Sequence, residues 1–145
     1  TLQWFLIGLS SFLIGHLFYI AAFRSTHTNK TPRIVNAIFI VIGLCFAARF
    51  IYILTSADET ILAIAVVLYI CVIFFMGMSA FRVGSNLAIG GAILFIISDT
   101  VLAFNRFDFD VPFSHEIIMF TYYGAQLCFT LSIAQYGEIR AKMVQ

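Results

Sequence analysis

Gly90-Gly-Ala-Ile-Leu-Phe-Ile-Ile-Ser-Asp-Thr-Val-Leu-Ala-Phe104 reads as a membrane-spanning helix with a carboxylate set inside it. On insertion scales an aspartate near mid-bilayer costs about 2.5–3.5 kcal/mol, so Asp99 needs a partner, water or a function. The rest of the chain agrees that lipid is its solvent. Hydrophobic residues make up 62% of it and charged residues only 10%, where soluble domains carry about a quarter charged. The surplus apolar surface must face lipid, which makes this an integral, multi-pass membrane protein. A net charge of +1 with no long basic cluster argues against nucleic acid as a partner. Cys45, Cys71 and Cys128 stand apart within apolar runs and are expected as small packing residues rather than a metal or redox motif.

Outward from that stretch, five runs are long enough to cross the hydrocarbon core, which takes about 20 helical residues. They fall near 3–23, 34–54, 60–80, 87–105 and 115–136. The expected fold is all-α: a polytopic transmembrane helix bundle forming a single domain over 1–145, with short connections that make consecutive helices antiparallel neighbours. Thr31-Pro32-Arg33 should stop the first helix and start the second, and Pro112 should open the last. The chain begins Thr-Leu-Gln-Trp, with neither an initiator Met nor a basic leader, and is expected to be truncated at its N-terminus. Arg24, Lys30, Arg33, Arg82, Arg140 and Lys142 fall on one side of the spans. Asp58, Glu59, Asp108, Asp110 and Glu116 fall on the other, with only Arg106 as a base. The positive-inside rule then makes the C-terminus cytoplasmic. Either a bacterial inner membrane or the endoplasmic reticulum fits this pattern.

Several polar residues share the interior with Asp99. Helix rise places Arg49 of the second span at a similar depth, so an Arg49–Asp99 pair would relieve both charges. That pair has a bland reading, an ionic clamp between two helices. In the first span Gly8, Ser11, Gly15 and Tyr19 form one stripe, suited to close packing within the chain or between chains, and His16 stands beside it. The oligomeric state is open. A lone histidine in an apolar helix is more often a hydrogen-bonded core residue than a ligand. No second His or Cys lies at ligand spacing, which argues against a metal site, and the residues call for no cofactor. Tyr122 and Gln126 share a face of the last span, and a buried amide such as Gln126 needs partners. Asn86 and Asn105 bracket the fourth span as helix-end residues, while Ser98 is expected to bond the carbonyl one turn back.

Three segments together resemble the lysoplasmalogenase family, also called the YhhN family. They are Gly15-His-Leu-Phe-Tyr-Ile-Ala-Ala-Phe23, Gly91-Ala-Ile-Leu-Phe-Ile-Ile-Ser-Asp-Thr-Val-Leu-Ala-Phe-Asn105 and Thr121-Tyr-Tyr-Gly-Ala-Gln126. The resemblance implies a bundle of about eight helices, of which this chain would be the last five. It implies hydrolysis of the vinyl-ether bond of lysoplasmalogens to a fatty aldehyde and a glycerophospho-base, with a lysophospholipid-like substrate drawn from the bilayer. Such hydrolysis needs an acid to protonate the β-carbon and a base or carboxylate to serve the attacking water. Asp99 is the catalytic candidate. A second acidic residue, which the family carries in a Gly-Asp pair of an earlier helix, has no counterpart here and is expected upstream of Thr1. Arg49, His16, Tyr19, Ser98, Tyr122 and Gln126 are the candidate substrate-binding residues, Arg49 for the lipid phosphate. Ion pairing to Asp99 and phosphate binding are competing roles for Arg49. Two readings of other classes use the same residues: a proton-coupled transporter with Asp99, Arg49 and His16 as a relay, and a non-catalytic lipid-binding protein.

Overall fold

The apolar runs fold as five helices in the computed structural model, which describes residues 2–26, 32–83 and 85–145. They are α1 (Leu2–Thr26), α2 (Arg33–Ser56), α3 (Thr60–Val83), α4 (Asn86–Phe107) and α5 (Ser114–Val144), with no strand among the described residues. All five are long and apolar enough to cross a membrane. Lys30 and Thr31, with the side chain of Arg24, lie outside the described residues.

Local chemistry sets the helix ends. Pro32, at φ −55° and ψ 137°, precedes α2 and has no N–H to leave unpaired. At the far end of α2 the Glu59 N–H donates to the Leu54 carbonyl (2.9 Å) and the Asp58 N–H to Thr55 (3.2 Å). Asp58 takes a left-handed φ of 59°. This is a Schellman closure with aspartate in the position that glycine usually fills, a conformation Asp tolerates better than most residues. Between α4 and α5, Asn105 Oδ1 accepts from the Val111 N–H at 3.0 Å, so this helix-end asparagine organises the turn. Helix α5 continues well past the apolar run that ends near 136. Its 31 residues span roughly 46 Å at 1.5 Å each, against a core of about 30 Å.

Packing departs from chain order in one respect. Helices α2, α3, α4 and α5 pack as sequential neighbours, but α1 lies chiefly against α3 rather than α2. Helix α3 is therefore the hub, and α2 barely reaches α4. One core cluster joins Ile20, Phe23, Met76, Ala92, Phe95 and Phe129 from α1, α3, α4 and α5. A second gathers Phe50, Leu54, Leu62, Ala63 and Val66 between α2 and α3. Small residues let α4 and α5 approach closely. A Cβ added at Gly91 would lie 2.8 Å from the Phe129 ring and 3.0 Å from Cys128 Cβ, the kind of seam that glycine permits between membrane helices.

The stripe on α1 is not such a seam. A Cβ at Gly8 or Gly15 would meet nothing within 4 Å. Ser11, Gly15 and Tyr19 instead border open space, because α1 leans on α3 and leaves a gap towards α5. The cysteines also differ from expectation: Cys45 and Cys71 project from exposed helix faces, while Cys128 is half-buried at the α4–α5 seam.

Candidate active site

Helix α4 carries Asp99 into the bundle with its side chain only 10% exposed. Its polar contacts among the described residues come from α3 and α1. Tyr69 Oη donates to Asp99 Oδ2 at 3.1 Å, and His16 Nε2 lies 3.8 Å from the same oxygen. His16 is fully buried, held edge-on to Phe95 with ring centroids 4.5 Å apart. Its Nδ1 lies 2.9 Å from the Phe12 carbonyl oxygen. A carbonyl only accepts, so Nδ1 carries the hydrogen, and a neutral ring then turns the Nε2 lone pair towards Asp99. Nε2 has no hydrogen-bond partner among the described residues. One proton, on the carboxyl or on Nε2, can thus serve both groups.

Asp99 and His16 stand between two cavities of opposite character. An apolar cavity runs between α1, α2, α3 and α4, walled by residues such as Phe46, Phe50, Ile73, Phe74 and Ile96, with Asp99 and Tyr69 as polar members of its lining. A second, more open cavity is bordered by Ser11, Gly15, His16, Tyr19, Tyr122 and Gln126, with Phe12 and Phe95 completing the wall. Within it Tyr19 Oη donates to Gln126 Oε1 at 2.6 Å, which gives the half-buried amide its partner across α1 and α5. Tyr122 packs edge-on to Phe95 and Phe12. No group of three or more metal-ligating side chains occurs among the described residues.

His16, Tyr19, Tyr122 and Gln126 therefore share one cavity, and His16 links it to Asp99, whereas Arg49 and Ser98 make other contacts. Arg49 makes a bidentate pair with Asp108, Nε to Oδ2 at 3.1 Å and Nη2 to Oδ1 and Oδ2 at 3.0 and 2.9 Å. The expected Arg49–Asp99 pair fails for two physical reasons. Tyr69 of α3 and His16 of α1 already face the Asp99 carboxylate, and the long, flexible Arg49 side chain reaches Asp108 just past the C-terminal end of α4 instead. Arg49 is consequently absent from the relay required for a transporter. Ser98 is buried and donates across the seam to the Ile118 carbonyl on α5 at 3.3 Å, not to its own helix.

Tyr69 is the site residue that sequence reasoning missed. It interrupts Ile64-Ala-Val-Val-Leu-Tyr-Ile-Cys-Val-Ile73 with a hydroxyl. The rule that singled out Gln126, that a polar atom in hydrocarbon needs a partner, applies to it equally.

A family model described as the YhhN family matches residues 1–133. The human protein named lysoplasmalogenase TMEM86A is 37% identical over 145 residues, covering 93% of this chain and 58% of that protein. Its bovine namesake is 35% identical at the same coverage. A pig protein named lysoplasmalogenase TMEM86B is 31% identical, covering 94% of this chain and 57% of the relative. The chain thus spans a little over half the length of these curated relatives. No solved structure matches it at a significant level.

Proposed function

The chain belongs to the YhhN family, and from that premise we propose that it forms the catalytic part of a membrane-embedded hydrolase that cleaves the vinyl-ether bond of lysoplasmalogens. The observation that carries this reading is the position of Asp99, with Tyr69 and His16, between an apolar and a polar cavity. A single-chain lipid with a cleavable bond at the head of its chain needs both environments at one point.

The alkenyl chain occupies the apolar cavity with its vinyl ether beside Asp99. The Asp99 carboxylic acid gives its proton to the β-carbon, and the double bond's electrons leave an oxocarbenium ion at the α-carbon, which the new carboxylate stabilises. Water from the polar cavity, oriented by Tyr19, Tyr122 and Gln126, adds to the α-carbon and loses a proton to the His16–Asp99 pair. The resulting hemiacetal collapses: its hydroxyl proton is lost, the bond to the glycerol oxygen breaks, and that oxygen is protonated. One water is consumed, and the products are a fatty aldehyde and a glycerophospho-base. Tyr69 positions the carboxyl, and the Phe12 carbonyl fixes the His16 tautomer.

The test is product analysis with the purified protein in lipid vesicles. A 1-alkenyl lysophospholipid should yield aldehyde and glycerophospho-base, while the 1-O-alkyl analogue, with no double bond to protonate, should remain intact. Release of a fatty acid from an ester lysolipid, with no aldehyde from the alkenyl lipid, would overturn the reading.

A further inference from the structure

With Arg49 committed to Asp108, the structure offers another cation two turns beyond Asp99. Arg106 follows Asp99 by seven residues, which returns it to nearly the same face of α4 about 10.5 Å further along. It lines the apolar cavity beside Phe5, and its guanidinium carbon lies 5.5 Å from the centroid of that ring. The same arginine, with Phe107, also lines a more open pocket at the end of the bundle. No carboxylate among the described residues lies within ion-pair distance of Arg106. Glu59 lines that opening too, and it is exposed. Opposite charges that share a mouth without pairing form a receptor for a ligand bearing both.

We propose that Arg106 and Glu59 form the headgroup site for a zwitterionic phospho-base, Arg106 binding the phosphate and Glu59 the ammonium. This rests on the placement of the alkenyl chain and vinyl ether given above. The dimensions fit that placement. Seven covalent bonds separate the vinyl-ether β-carbon from phosphorus, roughly 9 Å when extended at ordinary bond lengths. The lipid therefore lies along α4, its chain in the Phe-lined interior, its reacting carbon at Asp99 and its headgroup at the mouth. Water reaches the reacting carbon from the other side of α4. The phosphate's own bond is not broken, so Arg106 acts through binding and not through the chemical step.

The test separates binding from cleavage by measuring affinity for two uncleavable lipids, 1-O-alkyl-glycerophosphocholine and 1-O-alkylglycerol, in detergent micelles. Arg106→Gln should weaken the first about tenfold, the size expected for one charge-assisted contact, and leave the second unchanged, with Arg106→Lys recovering part of the loss. Glu59→Gln should lower the preference for the phosphocholine lipid over the anionic 1-O-alkylglycerol 3-phosphate by about fivefold. Equal weakening of both uncleavable lipids by Arg106→Gln would mean that the residue shapes the apolar cavity, and would overturn the proposal. So would no effect of either Arg106 variant on either lipid. Headgroup-dependent binding without aldehyde release from the alkenyl lipid would count against the hydrolase reading alone.

Discussion

A carboxylate locked in a bidentate pair with a guanidinium accepts hydrogen bonds and does little else, which describes Asp108 beside Arg49. Asp99 faces a phenol that donates a hydrogen bond to it and an imidazole able to exchange a proton with it. Two aspartates only nine positions apart on the chain are thereby given different work. The Arg49–Asp108 pair keeps the Arg49 side chain 53% exposed, so its contribution to stability is about 1 kcal/mol or less. Arg49→Ala should lower thermal stability only slightly and leave lipid turnover within about twofold of wild type, since rim ion pairs contribute little. A loss of turnover in Arg49→Ala comparable to removal of Asp99 would put Arg49 back in the site. Asp99, His16, Tyr19 and Gln126 were legible in the sequence because each is a polar group in a run that should have none. Their partners were not. Depth along a helix can be counted, but which helix stands next to which cannot, and the Arg49–Asp99 pairing failed on that point.

Among the helices, hydropathy located α1 to α4 to within a few residues, because the bilayer and the helix share the same apolar run. It understated α5, whose polar C-terminal turns remain helical beyond the lipid-soluble part. Glycines are where one sequence says least. Gly15 and Gly91 both sit in apolar helices beside polar motifs, yet one borders a cavity and the other a buried ring. Gly91→Ala should destabilise the protein by about 1–3 kcal/mol, because the Phe129 ring is wholly buried and Cys128 Cβ cannot swing aside. Gly15→Ala should leave thermal stability unchanged, since its new methyl meets open space. Denaturation of the two variants side by side checks this. Equal destabilisation would mean that α1 packs on its Gly15 face after all.

The whole bundle divides its interior by polarity. Phenylalanines from α1 to α4 wall one cavity, while hydroxyls, an amide and an imidazole from α1 and α5 border another. Composition alone foretold a membrane bundle. The division between the two cavities was not legible, because it depends on α1 docking on α3 and leaning away from α5. The Asp99–His16 pair links the two environments, Asp99 lining the apolar one and His16 the polar one, and the proposed chemistry depends on that position. The most direct measurement is aldehyde release from a 1-alkenyl lysophospholipid by Asp99→Asn and wild type, both shown to fold with similar thermal stability. Asparagine keeps the shape and can still accept from Tyr69, but it has no proton to give, so turnover should fall about 10²–10⁴-fold, the range for a lost general acid. Turnover near the wild-type rate in a folded Asp99→Asn protein would contradict the assignment of Asp99 as the acid.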